Sequence, residues 1–342
     1  MFKNILIIKP SSLGDVVHAL PVLNKLRAAY PAARLSWLVG TQAAPVVESN
    51  PDLNEVFYFR RSSRRPFSAA RAQMALAKRL RTAGFDCVID LQGLFRSAAF
   101  ALATGTPRRI GLSSAREGAP LFYTDVVETP ERIHAVDRYL LVGSILGFDS
   151  AAPQFNLAVP KAARDSVDRL LESVPALKRP FVALSVGARW PSKEYPAASL
   201  ADVGRMLLTR FGGAVFLVGA PSSAAAASEI EKTIGTGTVN LVGRTDVAEL
   251  MALLARMDLF ITPDTGAMHV ADALGTPLVA VFGPTDPART GPYLQKDRVL
   301  FALDSCPRAP CLKRKCPDPV CMRAVNPDEV FRRAECVLKE HR

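Results

Sequence analysis

The sequence predicts an α/β protein of two doubly wound, Rossmann-like domains, each a parallel sheet covered by helices. Three observations predict it: a length of 342 residues, an alternation of short β-branched runs with longer amphipathic stretches, and a restart of that alternation after an irregular segment. At about 100–200 residues per domain, the length argues for two cores. Apolar residues make up 49% of the chain and charged residues 22%, which excludes disorder, collagen and coiled coil.

Asn4 to Lys9 reads as a buried strand, and Asp15 to Tyr30 as a helix with Val16, Leu20, Leu23 and Leu26 on one face. Arg34 to Gly40 and Asp86 to Gly93 read as further strands, with a helix from Ser68 to Ala83 before the second. A helix from Asp137 to Leu146 ends at Gly147, a residue suited to a C′ position. Phe148 to Pro160 is irregular and carries two prolines, so the boundary is placed there, giving domains of residues 1–154 and 155–342. The pattern then restarts with strands at Phe181 to Val186, Ala214 to Gly219, Leu259 to Thr262 and Leu278 to Phe282. Helices are expected near 196–210, 222–234, 247–256 and 267–274. Tandem folds of this kind bind ligands outside the carboxyl ends of their strands, so a cleft between the two sheets is expected and function is sought in the loops after the strands.

Three of those loops carry chemistry. The first, Pro10-Ser11-Ser12-Leu13-Gly14-Asp15, leads straight into a helix. It has neither the P-loop nor the dinucleotide fingerprint, which argues against a kinase, an ATPase or a typical dehydrogenase. Gly14 permits a tight turn, and Asp15 sits where a carboxylate can accept a proton from a bound hydroxyl. Asp15 equally suits the first turn of a helix, where it complements the macrodipole. The second loop, Pro263-Asp264-Thr265-Gly266-Ala267-Met268-His269, presents helix N-terminal amides to a phosphate, with His269 one turn further on; an Asp N-cap with an incidental His is the plainer reading. In the third, Gly187 to Lys193, Arg189 and Lys193 are placed to neutralise a diphosphate or to stand as solvated cations.

The charge is uneven. Lys and Arg number 43 against 32 Asp and Glu, a net +11. Residues 1–150 carry 19 basic and 12 acidic side chains, so most of the surplus lies in the first half. Such a surface implies an anionic partner: nucleic acid, acidic membrane or phosphorylated substrate. No apolar run approaches the ~18 residues of a membrane span, and Ile5 to Ile8 is too short for a signal peptide, so a cytoplasmic chain is expected. Cys306, Cys311, Cys316 and Cys321 recur at equal spacing, which fits a zinc template only loosely; free thiols or a metal or redox role both stay open.

Together, Lys9 to Asp15 with His18, Lys193 in its Trp190-Pro191-Ser192-Lys193 setting, the run Asp264 to His269, and Phe282-Gly283-Pro284-Thr285 resemble the family 9 glycosyltransferases, the lipopolysaccharide heptosyltransferases. The resemblance covers nearly the whole chain in the right order. Ser114 to Glu117, Leu121 to Tyr123 and His134 to Arg138 are closer to the type I than the type II enzymes. It implies a GT-B fold with an N-terminal acceptor domain, a C-terminal nucleotide-sugar domain and a terminal helix that returns to the first domain. It also implies inverting transfer of heptose from ADP-heptose to a Kdo residue of lipid A, at the cytoplasmic face of the inner membrane. Asp15 would be the general base. Lys193 and the amides of Thr265 and Gly266 would hold the donor diphosphate, with Asp264, His269 and Arg189 lining that site and Ser12 and Gly14 on the acceptor side. No two Asp residues stand at i, i+2, so the usual cation-holding pair of metal-dependent glycosyltransferases is missing; metal-free catalysis without a cofactor is expected.

In one place the sequence departs from that pattern. Type I relatives carry an acidic residue near the donor ribose, whereas here Ala220-Pro221-Ser222-Ser223 follows Gly219 and the first acid is Glu229, about two turns on. Ser222 or Ser223 would have to replace that contact. Between Phe59 and Phe85 there are eight basic residues and no acidic one. Arg60, Arg61, Arg64 and Arg65, with Arg116, are the expected cations for the Kdo carboxylate, the lipid phosphates and an anionic membrane surface; Lys78, Arg79 and Arg81 suit a solvated helix face. Nucleic acid is then not an expected partner, and no obligate protein partner is evident. Two rival functions keep the fold: a nucleotide-sugar 2-epimerase, and a non-catalytic basic adaptor.

Overall fold

The structure, a computed structural model, describes residues 2–60, 66–174 and 178–341. It divides into two compact units, Met1–Ala158 and Val159–Arg342.

The first unit is built on six strands: β1 (Asn4–Ile8), β2 (Arg34–Gly40), β3 (Glu55–Phe59), β4 (Cys87–Asp90), β5 (Arg109–Leu112) and β6 (Asp125–Val127). They run in the order β3-β2-β1-β4-β5-β6, every pair parallel. Ile5, Leu6, Ile7 and Ile8 are wholly buried, as a central parallel strand covered on both faces requires. The chain order reverses between β1 and β4, so the segments leaving those two strands emerge side by side. The helix Leu13–Ala29 follows β1, and it buries more than the one face expected of it: His18, Ala19 and Val22 are inside as well as Val16, Leu20, Leu23 and Leu26. The helix Ala135–Leu140 packs against it.

The second unit repeats the plan. Its strands are β7 (Phe181–Ser185), β8 (Ala214–Val218), β9 (Thr238–Asn240), β10 (Leu259–Pro263), β11 (Leu278–Phe282) and β12 (Val299–Phe301). Their order is β12-β11-β10-β7-β8-β9, again all parallel. Counted from its own first strand, each sheet therefore has the same order, and the switch point here lies between β7 and β10.

Several elements differ from expectation. β3, β5, β6, β9 and β12 are edge or near-edge strands, of three to five residues, too short for periodicity to reveal. The expected helix Asp137 to Leu146 is two pieces, Ala135–Leu140 and Gly143–Leu146. The break falls at Leu141 and Val142, just before Gly143, where a Cβ would lie 2.3 Å from the Phe148 carbonyl oxygen. Gly147 ends the second piece at φ 74°, the left-handed conformation expected of it.

The terminal helix Pro327–Glu340 corrects the expectation that it returns to the first unit. Val330, Ala334, Val337 and Leu338 are buried in the second unit's core, against β10, β11 and the helix Ala197–Phe211. Their spacing is one apolar stripe, which must be covered by the core. Polar contacts add to it: Arg210 pairs with Glu335 at 2.9 Å, and Arg298 pairs with Glu340.

Cys321 is buried, while Cys306, Cys311 and Cys316 are half-buried. Among the described residues no three His, Cys, Asp or Glu side chains gather as a metal-binding group. Burial, then the neighbouring Cys306 and Cys311, raise the Cys321 thiol. Burial also pushes the Cys87 thiol up to about 12, leaving it inert. No helix among the described residues is long and apolar enough to cross a membrane.

At the edge of the first sheet, the Tyr123 ring occupies the space a side chain at Gly111 would fill, 2.1 Å from the nearest ring atom. Its hydroxyl donates to Asp90 Oδ2 at 2.7 Å. Gly111→Ala must displace the ring and strand that buried bond, and is expected to lower unfolding free energy by about 1–3 kcal/mol in denaturant titration.

Candidate functional site

Each unit gathers charged side chains at its own switch point. In the first unit the centre is Asp15, in the first turn of the helix after β1. Its Oδ2 accepts from the Ser12 backbone N–H at 3.0 Å and from the Ser12 hydroxyl at 2.6 Å. This fastens the carboxylate to the turn that launches the helix. Tyr139, carried in by the helix Ala135–Leu140, donates its hydroxyl to Asp15 Oδ1 at 3.4 Å.

Beneath them lies Lys9, only 3% exposed. Its ammonium donates to the Leu91 carbonyl at 3.1 Å and sits 4.9 Å from the centre of the Tyr139 ring. A lysine is buried this deeply only where other groups stabilise its charge. Burial would favour the neutral amine, but Tyr139 and Asp15 outweigh it and hold the pKa above the ordinary value. Burial likewise works against the Asp15 charge; the Lys9 ammonium, the two Ser12 bonds and His18 overcome it and keep this carboxyl far below the usual carboxylate range. Asp15 is therefore ionised at any physiological pH. His18 and His134 stack edge to face, ring centres 5.3 Å apart, and His134 Nδ1 accepts from Val136 N–H to cap the helix that carries Tyr139.

Gly14 is buried in the same turn. Arg60 and Arg116 are exposed on the segments after β3 and β5, and neither forms an ion pair among the described residues. Arg116 N–H donates to the Gly93 carbonyl at 2.8 Å, tying its loop to the one after β4. Arg61, Arg64 and Arg65 lie outside the described residues.

In the second unit the centre is Asp264, at the end of β10. Both Lys193 Nζ and Thr285 Oγ1 donate to its Oδ2 at 2.6 Å, and His269 Nε2 lies 3.9 Å from Oδ1. Asp264 is 7% and Lys193 15% exposed, so this is a largely desolvated pair. An ammonium has three N–H donors; Asp264 takes one, which leaves capacity for a phosphate. Lys193 also lies 4.5 Å above the Trp190 ring, and the Arg314 guanidinium lies 5.3 Å from that ring. The two segments are tied by Ser192, whose hydroxyl donates to the Lys313 carbonyl at 2.5 Å.

Thr265 caps the helix Gly266–Leu274, its Oγ1 accepting from Met268 N–H at 3.3 Å. The helix starts beside Asp264 with the amides of its first turn and the positive end of its dipole directed outward, a natural anion seat. Asp264, Thr265, Gly266, His269 and Lys193 are thus brought together. Arg189 is not: it is exposed, with no hydrogen bond or ion pair among the described residues. Ser223 sits against Gly187, where a Cβ would lie 2.3 Å from its Oγ. Absence of a side chain at Gly187 thus lets the segments after β7 and β8 meet.

Sequence reasoning missed Lys9, Tyr139, Thr285 and Arg314 as site residues. Lys9 and Thr285 stood inside segments already singled out, and a lysine at the end of an apolar strand was the available signal. Nothing in the local pattern marked Tyr139 or Arg314.

A family model described as Glycosyltransferase family 9 (heptosyltransferase) matches residues 73–321. Lipopolysaccharide heptosyltransferase 1 of Salmonella typhimurium is 31% identical over 301 residues, covering 84% of this chain and 91% of the relative. The protein of the same description from Pseudomonas aeruginosa is 30% identical, covering 91% and 86%. Among solved structures, the E. coli ADP-heptose lipopolysaccharide heptosyltransferase II is 25% identical with a TM-score of 0.79, covering 98% of this chain and 99% of the other. These GT-B structures share the paired parallel sheets described above. The chain belongs to glycosyltransferase family 9, the heptosyltransferases.

Proposed function

We propose that the protein transfers heptose from ADP-heptose to a Kdo residue of lipid A, inverting the anomeric carbon, with Asp15 as general base. The observation that carries this reading is a half-buried carboxylate, held ionised by a buried lysine, at the switch point of the first sheet. The first unit, taken as residues 1–154, would bind the acceptor, and residues 155–342 the donor.

In this mechanism an acceptor hydroxyl attacks the anomeric carbon of heptose as the bond from that carbon to the diphosphate oxygen breaks. Asp15 takes the hydroxyl proton. A carboxylate held so far below its usual range is a weak base towards a resting alcohol. The hydroxyl becomes strongly acidic only as its oxygen bonds to carbon, so the proton moves late. Lys193 and the amides of Thr265 and Gly266 stabilise the charge that grows on the departing ADP, with Asp264 holding Lys193 and with Thr285 and His269 beside Asp264. Arg189 would reach the diphosphate only when a donor is present. The ammonium and helix terminus supply the positive charge that a cation provides elsewhere, so no metal is assigned. Ser12, already bonded to Asp15, orients the base; Gly14 lets the acceptor approach the turn. Arg60 and Arg116, with Arg61, Arg64 and Arg65, suit the Kdo carboxylate and lipid phosphates, which supports a reading of work at the cytoplasmic face of the inner membrane. Likeness of the segments Ser114 to Glu117 and His134 to Arg138 to the type I enzymes favours a Kdo acceptor over a heptosylated one.

Asp15→Asn preserves shape but removes the base. It is expected to lower turnover at least a hundredfold while ADP affinity, measured by calorimetry, stays unchanged. Near-normal turnover would remove Asp15 from the mechanism. Lys193→Met should weaken ADP binding by about 1.5–3 kcal/mol, the scale of a charge-assisted hydrogen bond; equal affinity would place the diphosphate elsewhere. Incubation with ADP-heptose and Kdo-lipid A in excess EDTA, followed by mass spectrometry, should show addition of one heptose. Addition only to an acceptor that already carries heptose would assign the type II reaction, and loss of addition in EDTA would assign a metal.

A further inference from the structure

The helix Phe95–Ala103, sequence FRSAAFALA, is apolar nearly all round, with Arg96 its only charged residue. Its inner face buries Ala98 and Ala101. Its outer face carries Phe95, Ala99 and Leu102, at i, i+4 and i+7, and Phe95 and Leu102 are 54% and 48% exposed. A soluble helix normally turns polar residues outward.

This face continues onto the short 3-10 turn Ala119–Phe122, which packs on the helix. Phe122 stacks edge to face on Phe95 with ring centres 5.5 Å apart. Leu121, next to it, is 89% exposed. Glu117, the nearest acid in sequence, has its carboxylate bonded to Phe95 N–H at the start of the helix. On the other flank lies the helix Pro66–Thr82, which exposes Arg71, Met74 and Lys78 at i, i+3 and i+7. The whole stretch from Phe59 to Phe85 has no acidic residue. Arg60, Arg71, Lys78, Arg96 and Arg116 form no ion pair among the described residues.

We infer that this surface seats the first unit on an anionic lipid bilayer. The side chains of Phe95, Leu102 and Leu121 enter the boundary between headgroups and acyl chains, and the unpaired cations of the neighbouring helix meet lipid phosphates. An apolar stripe beside a row of free cations is the combination that binds membrane interfaces. Apolar contact without the cations would suit another protein, and cations without the apolar stripe would suit a soluble polyanion. The inference deepens the reading of a lipid-borne acceptor and rests on it only for its biological sense, since the surface can be tested without acceptor or donor.

The test is co-sedimentation of the full chain with vesicles of phosphatidylcholine containing about one-third phosphatidylglycerol, against vesicles of phosphatidylcholine alone. The wild type should bind the anionic vesicles, more weakly at high salt, and Leu102→Ser/Leu121→Ser should reduce that binding about tenfold or more. Both side chains already face solvent, so the fold should persist. Leu121→Asp provides a second variant on an open turn, with the same loss expected. Transfer to a water-soluble, deacylated acceptor should stay within about twofold of wild type in all variants. Failure of that transfer in the wild type would count against the proposed reaction and leave vesicle binding as a separate result. Equal vesicle binding by wild type and variants would overturn the inference. So would a wild type that ignores anionic vesicles, or a concentration-dependent dimer abolished by the same substitutions, which would give the face to a second copy of the chain.

Discussion

Both candidate sites share one electrostatic arrangement: a carboxylate that follows a strand at the carboxyl end of a parallel sheet has a cation beside it. Losing hydration costs an isolated charge several kcal/mol, so Asp15 persists as an anion because Lys9 is buried with it. Asp264 persists in the second unit with Lys193 at 2.6 Å. In each case one partner follows the first strand of its sheet: Lys9 and Asp15 both follow β1, while Lys193 follows β7 and Asp264 follows β10, the neighbour of β7. The strand order gives the second pair a place where two loops emerge together, whereas the first pair comes from the single segment after β1.

The two pairs are tuned for different work. Asp15 is tied by Ser12 and Tyr139 as well as by the field of Lys9, so its position and charge are fixed before any acceptor arrives. As the proposed base, Asp15 contributes chiefly through placement, because in that mechanism proton transfer is driven by formation of the glycosidic bond. In the proposed mechanism the lysine is the working partner of the second pair. Asp264, which accepts from Thr285 and has His269 beside it, holds the ammonium next to a helix terminus, where the proposed mechanism has both act on the same anion.

Much of this was legible in the sequence, and the reasons are particular. Asp15, Asp264 and Lys193 each follow a strand that reads clearly as buried, and a charge at such a junction is conspicuous. Ser12 reads as an acceptor contact; in the structure its hydroxyl donates to Asp15, a capping geometry three residues apart, and keeps its oxygen lone pairs. Tyr139 reaches Asp15 only because two helices pack 124 positions apart in sequence, a juxtaposition local patterns do not encode. Strands of three residues such as β6, β9 and β12 take their conformation from the neighbour they pair with. The terminal helix shows the same limit: its apolar stripe announced that it would be covered, while the choice of sheet was a tertiary matter.

The coupling of Lys9 to Asp15 is most directly tested by the pH dependence of kcat/KM for heptosyl transfer in the wild type and in Lys9→Met. A general base works deprotonated, so activity falls only as pH drops through its pKa in the free enzyme. With Asp15 held far below the usual range, the wild type should stay flat on the acid side down to about pH 5. Without the ammonium, burial is opposed only by the two Ser12 bonds and His18, so the acid limb of the variant should lie at higher pH than that of the wild type. A limb at the same pH in both proteins, or a wild type that already declines below neutrality, would contradict the account.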